Sequence, residues 1–212
     1  CLEAEVCKML DPYIKLAERM GAFAGQVVEG RFEEIDISYS GEISAYNLSP
    51  LTMALSKGLL FPILKETVNL INAVSLATER GIKIKEAKSS KEGEFVNLIQ
   101  LEIKTDKETR IISGTLSGNK QPRIVKIDEY YLEFTPLGDM IYIENLDKPG
   151  LIGSLGTALG KEGVNIAAMT IGRDKPDGKA ISVLNVDCPI STAVGEKIKK
   201  LENILIVEGI KI

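Results

Sequence analysis

The chain has 212 residues, 44% hydrophobic and 26% charged, with a formal net charge of −4 and no histidine. That composition is ordinary for a globular protein of one or two domains. A mild negative charge without a basic stripe argues against nucleic-acid binding, and the missing histidine removes the commonest general base with the Ser-His-Asp and Cys-His arrangements.

The chain opens with Cys1 rather than Met, inside helix-like sequence, which reads as a fragment of something longer. Asp11-Pro12 is an N-cap and N1 pair, and Tyr13, Ile14, Ala17, Met20, Gly21, Ala24 and Val28 then make one apolar face, predicting a helix over 12–28. RFEEIDISYS (31–40) reads as an irregular strand turned by Gly41-Glu42. Ser49-Pro50 starts a helical stretch with Met53, Leu55 and Leu59 apolar, and Pro62 should restart or kink it. A helix over roughly 72–80 ends in Arg80-Gly81, a basic last turn with a glycine stop. Strand-like runs follow at 82–87, 95–105, 109–117 and 123–134, the last split at Asp128-Glu129. The links between them carry turn residues. Residues 1–137 are thus expected to form one α+β domain, separated near Pro136-Leu137-Gly138 from a second domain over 138–212.

The second domain reads βαββαβ, with strands at 138–146, 165–173, 180–187 and 203–211 and helices at 149–161 and 191–201. Asp147 lies at or beside a helix N-cap, and Pro149 falls in the first turn. Leu151, Leu155 and Leu159 build an apolar stripe, and Gly163 ends the helix. The N-terminus of that helix offers free backbone N–H groups and a positive dipole end, a place for a small carboxylate. Asp147 could hold an ammonium group nearby, and Asn145 and Asn165 supply amides that donate and accept. Together these suit a free amino acid. Ser191 is a plausible cap for the second helix, with Val194, Ile198 and Leu201 at helical spacing. The last strand, ILIVEGIKI, is apolar on both faces over its first half. Helices on one side of an antiparallel sheet leave the other face open to a partner. Cys1, Cys7 and Cys188 are odd in number and widely spaced, without metal-ligand pairing. No apolar run approaches the ~20 residues of a membrane helix and no signal peptide is read, so a reduced cytoplasmic location, without membrane contact, is expected.

DKPGLIGSLGTALGKEGVNI, within residues 147–166, resembles the ACT domain, a ferredoxin-like ligand-sensing module of amino-acid metabolism. VNLINAVSLATERGIKI (68–84) and ISGTLSGNKQPRIVKI (112–127), followed by that segment, resemble the C-terminal half of D-3-phosphoglycerate dehydrogenases. More closely, they resemble the long form with an intervening, allosteric substrate-binding domain before its ACT domain. The resemblance implies a parent enzyme that oxidises 3-phosphoglycerate with NAD in L-serine biosynthesis. Its nucleotide-binding and catalytic domains would lie upstream. No G-x-G-x-x-G follows a strand here, so no catalytic residue, metal or cofactor is expected in this chain.

The resemblance further implies a homo-oligomer in which L-serine or a relative sits between two ACT domains. Asn145 and Asp147 would contact it, with backbone from Pro149, Gly150 and Leu151, and Asn165 from the same or the facing chain. Within the intervening domain it implies an anion site at Arg123, and Lys57, basic and near the motif segments, is a weaker candidate. Thr135 and Asn185 stand at two other positions that are basic in relatives. Set against this, Asp147 alone reads as a plain cap and Asn165 as a turn residue, but three polar groups converging on one turn favour binding. Lys57 reads as a solvated charge, Arg80 as a helix C-terminal charge, and Ser113 and Thr115 as structural strand residues. Two further readings stay open. One is the small subunit of an iron–sulfur L-serine dehydratase, although the chain lacks that subunit's P-S-S-S-H-T-A-type stretch and cysteine ligands. The other is a purely structural dimerisation module.

Overall fold

A computed structural model describes residues 2–91 and 93–212, and for residues 2–4 and 7 the backbone alone. The chain forms two compact units that divide between Asp128 and Glu129.

In the first unit a helix, α1 (Leu2–Val27), precedes β1 (Phe32–Gly41), α2 (Ser49–Leu64), α3 (Ala73–Glu79), β2 (Lys83–Ser89), β3 (Asn97–Thr105), β4 (Thr109–Leu116) and β5 (Pro122–Ile127). The strands lie in the order β2-β1-β3-β4-β5, with β1 and β2 parallel and the other neighbours antiparallel. Alternation dictates the core face. Ile35, Ile37 and Tyr39 pair with Ile103, Leu101 and Ile99, and all six are buried. Leu16 and Met20 of α1 lie over Gly114 of β4. The buried Tyr39 hydroxyl is held 2.8 Å from Thr52 Oγ1 on α2.

The structure corrects one helix start. α1 runs through Pro12 rather than beginning there, and Asp11 pairs with Lys15 at 2.7 Å instead of capping. Burial of Leu10 offsets part of the ~3 kcal/mol that an interior proline costs, because the upstream turn has its own contact with the core. Pro62 falls in the last turn of α2 without restarting it. The helix pair α1–α2 depends on missing side chains. A Cβ on Gly21 would collide with the carbonyl oxygen of Leu55, and one on Gly58 with that of Glu18. The two backbones therefore approach more closely than any larger residue would permit.

The second unit opens with β6 (Tyr130–Phe134). It continues as β7 (Asp139–Leu146), α4 (Leu151–Lys161), β8 (Ile166–Arg173), β9 (Lys179–Val186), α5 (Thr192–Lys199) and β10 (Ile204–Lys211). From β7 onward this is the expected ferredoxin-like βαββαβ order, with the antiparallel sheet β10-β7-β9-β8. Leu151, Leu155 and Leu159 of α4 meet Ile141, Ile143, Leu184 and Val186 in one core with Val194 and Ile198 of α5. Ser191 caps α5, accepting from the Val194 amide at 3.3 Å.

The sheet face away from the helices is not open. Met140, Tyr142, Ile181 and Val183 are buried there. β6 lies against this sheet, with the Thr170 hydroxyl on β8 donating to the Glu133 carbonyl at 3.0 Å. The compact units divide before Pro136-Leu137-Gly138. Among the described residues no helix is long and apolar enough to cross a membrane.

Candidate functional site

β7 delivers its last residues to one end of the second sheet, beside the start of α4. Asn145 is turned inward and buried. Its Oδ1 accepts from Ser182 Oγ on β9 at 3.0 Å, and its Nδ2 donates to the Leu146 carbonyl at 3.1 Å. Asp147 does not cap α4. The N-cap is Gly150, in a left-handed conformation at φ 92°, and no side chain caps the helix. A Cβ would be strained at that φ, which explains glycine here.

Asp147 is instead held by the hairpin between β8 and β9. Its amide donates to the Gly178 carbonyl at 2.8 Å, and its Oδ2 lies 2.7 Å from Arg173 Nη1. Lys148 reaches Asp177 at 3.0 Å across the same gap. Pro149 and Gly150 are exposed and Leu151 is buried under the first turn. The turn thus carries an ion-paired carboxylate and guanidinium a few residues ahead of the start of α4.

Asn165 lies elsewhere. β7 and β8 are both antiparallel to β9, and Asn145 and Arg173 both pair with Ala180, whereas Ile166 pairs with Val186. Asn165, just before Ile166, is therefore at the opposite end of the sheet, about 20 Å away at the strand rise. Its Nδ2 donates to Asp187 Oδ2 at 2.7 Å. One chain brings Asn145, Asp147, Pro149, Gly150 and Leu151 together and leaves Asn165 apart. Sequence reasoning missed Arg173 and Ser182. Both could be found only from the register of β8 and β9 against β7.

The anion candidates are also separate. Arg123 is half-buried on β5, opposite Thr115 of β4. Lys57 on α2 forms an ion pair with Glu18 of α1 at 2.7 Å, which neutralises it. Thr115 and Ser113 are buried, and the Thr115 hydroxyl donates to the Asn97 carbonyl at 2.6 Å. Asn185 Nδ2 donates to the Thr135 carbonyl at 3.1 Å, so those two positions do meet. The outer face of the first sheet carries an ionic cluster. Lys104 sits 2.8 Å from Glu34 and 3.1 Å from Asp36, and Lys85 lies 2.8 Å from Glu34. Hydrogen bonds from Lys104 and then Lys85 hold the Glu34 carboxyl down at about 2, and Lys104 is raised in turn. Cys188 carries a free thiol, while the side chains of Cys1 and Cys7 lie outside the described residues.

Fold and site define a two-module chain whose second module is an ACT-type βαββαβ unit. Comparison with known families agrees on both parts. The D-3-phosphoglycerate dehydrogenase intervening domain matches residues 9–128, and the ACT domain matches residues 140–203. The chain belongs to the D-3-phosphoglycerate dehydrogenase family, of which it represents the C-terminal, intervening-plus-ACT half. It is 38% identical to D-3-phosphoglycerate dehydrogenase of Methanocaldococcus jannaschii over 92% of this chain and 37% of that protein. It is 36% identical to that of Archaeoglobus fulgidus over 96% of this chain and 39% of the relative. The Bacillus subtilis enzyme is 32% identical over 96% and 38%. The chain thus spans less than two-fifths of the length of these relatives.

Proposed function

We propose that this chain is the regulatory and oligomerisation region of a D-3-phosphoglycerate dehydrogenase and that it senses L-serine between two ACT domains. The observation that carries the reading is the turn at Asp147, where this acid pairs with the Arg173 guanidinium at 2.7 Å three residues ahead of Gly150, the N-cap of α4. The serine carboxylate would lie at the helix N-terminus. Its ammonium would take the place beside Asp147 that the guanidinium now holds. Asn165 would come from the facing chain, since its own Asp147 is a sheet length away. The hydride transfer from 3-phosphoglycerate to NAD would belong to domains outside this chain, and this half would modulate them. Arg123 is the candidate for anion contact in the intervening domain, where a guanidinium can grip phosphate bidentately.

Calorimetry with L-serine tests the reading. The wild-type chain should give saturable heat at millimolar serine, and Asp147→Ala should weaken it about tenfold or more by removing a charge-assisted hydrogen bond of ~1.5–3 kcal/mol. Absence of heat in the wild type would leave the purely structural dimerisation module as the better account.

A further inference from the structure

A depression of about 500 Å³ lies in the first unit, and neither Arg123 nor Lys57 lines it. Its walls are apolar and aromatic. Met9 and Tyr13 come from α1, Tyr46 follows the helical turn after β1, Phe95 and Val96 precede β3, and Leu116 ends β4. Of six tyrosines and five phenylalanines in the chain, two and one meet here, so ring faces gather around one space. A glycine brings the parts together. Gly41 ends β1 at φ 92°, paired with Asn97, and a Cβ there would fall on the Val96 carbonyl oxygen. Only without a side chain can the residues after β1, Glu42 among them, come this close to Phe95, Val96 and Asn97.

Some polar groups of the depression are engaged and others are free. Asn97 is buried, and its Oδ1 accepts from the Ile43 amide at 2.9 Å while its Nδ2 donates to the Tyr13 hydroxyl at 2.8 Å. The Thr115 hydroxyl is taken by the Asn97 carbonyl. The Tyr13 oxygen is thereby fixed with one lone pair in use. Its second lone pair has no partner among the described residues. Burial pushes the Tyr13 hydroxyl above its ordinary pKa, the Asn97 bond opposes that shift, and the Glu42 charge adds to it, so Glu42 acts on the phenol. Glu42 and Glu94 are exposed and have no hydrogen-bond or ion-pair partner among the described residues. Lys120, in the turn between β4 and β5, is the one cation of the lining. Two carboxylates against one ammonium leave an excess negative charge beside three aromatic rings.

We propose that this depression binds a small apolar organic cation, an alkyl- or arylammonium, with its hydrocarbon against Met9, Phe95, Val96 and Leu116 and its charge among Tyr13, Glu42 and Glu94. An ammonium only donates, and the free Tyr13 lone pair and the two carboxylates only accept from it. The faces of Tyr13, Tyr46 and Phe95 attract a cation through their quadrupoles. An inorganic ion would leave the apolar walls without a contact, and an anion would meet the excess negative charge. The volume falls within the ~300–1,000 Å³ of small-molecule pockets. Nothing in this site depends on serine binding at the ACT domain.

The test is calorimetric titration of the whole chain with phenethylammonium chloride at low ionic strength. Wild type should bind in the millimolar range and more weakly as sodium chloride is raised. 2-Phenylethanol, of the same shape without the charge, should bind more weakly, and 3-phenylpropionate should not compete. Glu42→Gln with Glu94→Gln should weaken phenethylammonium about threefold or more and leave 2-phenylethanol unchanged. Both glutamates are exposed, so the melting temperature should not move. Phe95→Ala should weaken both ligands. The charge-matched pair Glu196→Gln with Glu202→Gln should leave binding as it is. The proposal is overturned if wild type binds no phenethylammonium, if the Glu42/Glu94 variant binds it as wild type does, or if the control pair loses as much. Equal affinity for 2-phenylethanol would reduce the site to an apolar pocket without charge selection and overturn it too. Tighter binding of L-phenylalanine than of phenethylammonium would replace the cation by a zwitterion with its carboxylate on Lys120. None of these outcomes bears on the serine titration.

Discussion

Asp147 shows how the structural role of one residue can differ from the one its spacing suggests. Its spacing before Pro149 suggested a cap, yet Gly150 takes the N-cap position and Asp147 faces Arg173. The stability expected of Asp147→Ala changes accordingly. A lost cap costs about 1 kcal/mol, whereas a partly exposed ion pair is worth ~0.2–1 kcal/mol. Urea denaturation of Asp147→Ala should show the smaller loss, and the loss should shrink further in high salt. Glu34 makes a second residue-scale prediction. Its carboxyl is depressed to about 2 by Lys104 and Lys85, so the folded state prefers the ionised form. The stability this contributes is complete above the unfolded carboxyl pKa of ~4.3 and disappears as pH falls towards the folded value. Wild type and Glu34→Gln should therefore differ in urea midpoint at neutral pH and converge between about pH 4.5 and pH 2. A constant difference down to pH 2 would mean that the Lys104 and Lys85 contacts do not act through charge.

Elements were legible wherever a period repeated. Ile35, Ile37 and Tyr39 alternate, and Leu151, Leu155 and Leu159 recur every fourth residue, so β1 and α4 could be placed from sequence. The start of α1 could not, because a strong local signal at Asp11-Pro12 competed with burial of Leu10, which only the assembled core reveals. Nor could β6 be assigned as a cover for the ACT sheet, since nothing in YYLEF names the surface it will meet. The candidate site was half legible for the same reason. The turn residues lie close in sequence, but Arg173 reaches Asp147 only through the pairing of three strands. At this scale the α1–α2 crossing gives the sharpest prediction. Gly58→Ala places a methyl group against the Glu18 carbonyl, in backbone that cannot rotate away. The overpacking should cost ~1–3 kcal/mol in urea denaturation, while Gly153→Ala, whose Cβ meets nothing within 4 Å, should be neutral or mildly stabilising.

For the whole molecule, the edges of the second sheet matter most. β8 and β10 are its outer strands, and they carry exposed Ile171 and Leu205. Unpaired edges of this kind invite pairing with a second copy. Sedimentation at tens of micromolar should show a dimer or larger species, and Ile171→Lys should shift the population towards monomer if β8 is the edge in use. The separation of Asp147 from Asn165 then has a consequence in mass action. A pair of chains related by a two-fold axis would complete two equivalent pockets, each borrowing half its contacts across the axis. Occupancy would depend on protein concentration as well as on serine concentration, and diluted chains would lose affinity without losing structure. By reciprocity, serine would tighten the pair by the same factor by which pairing tightens serine.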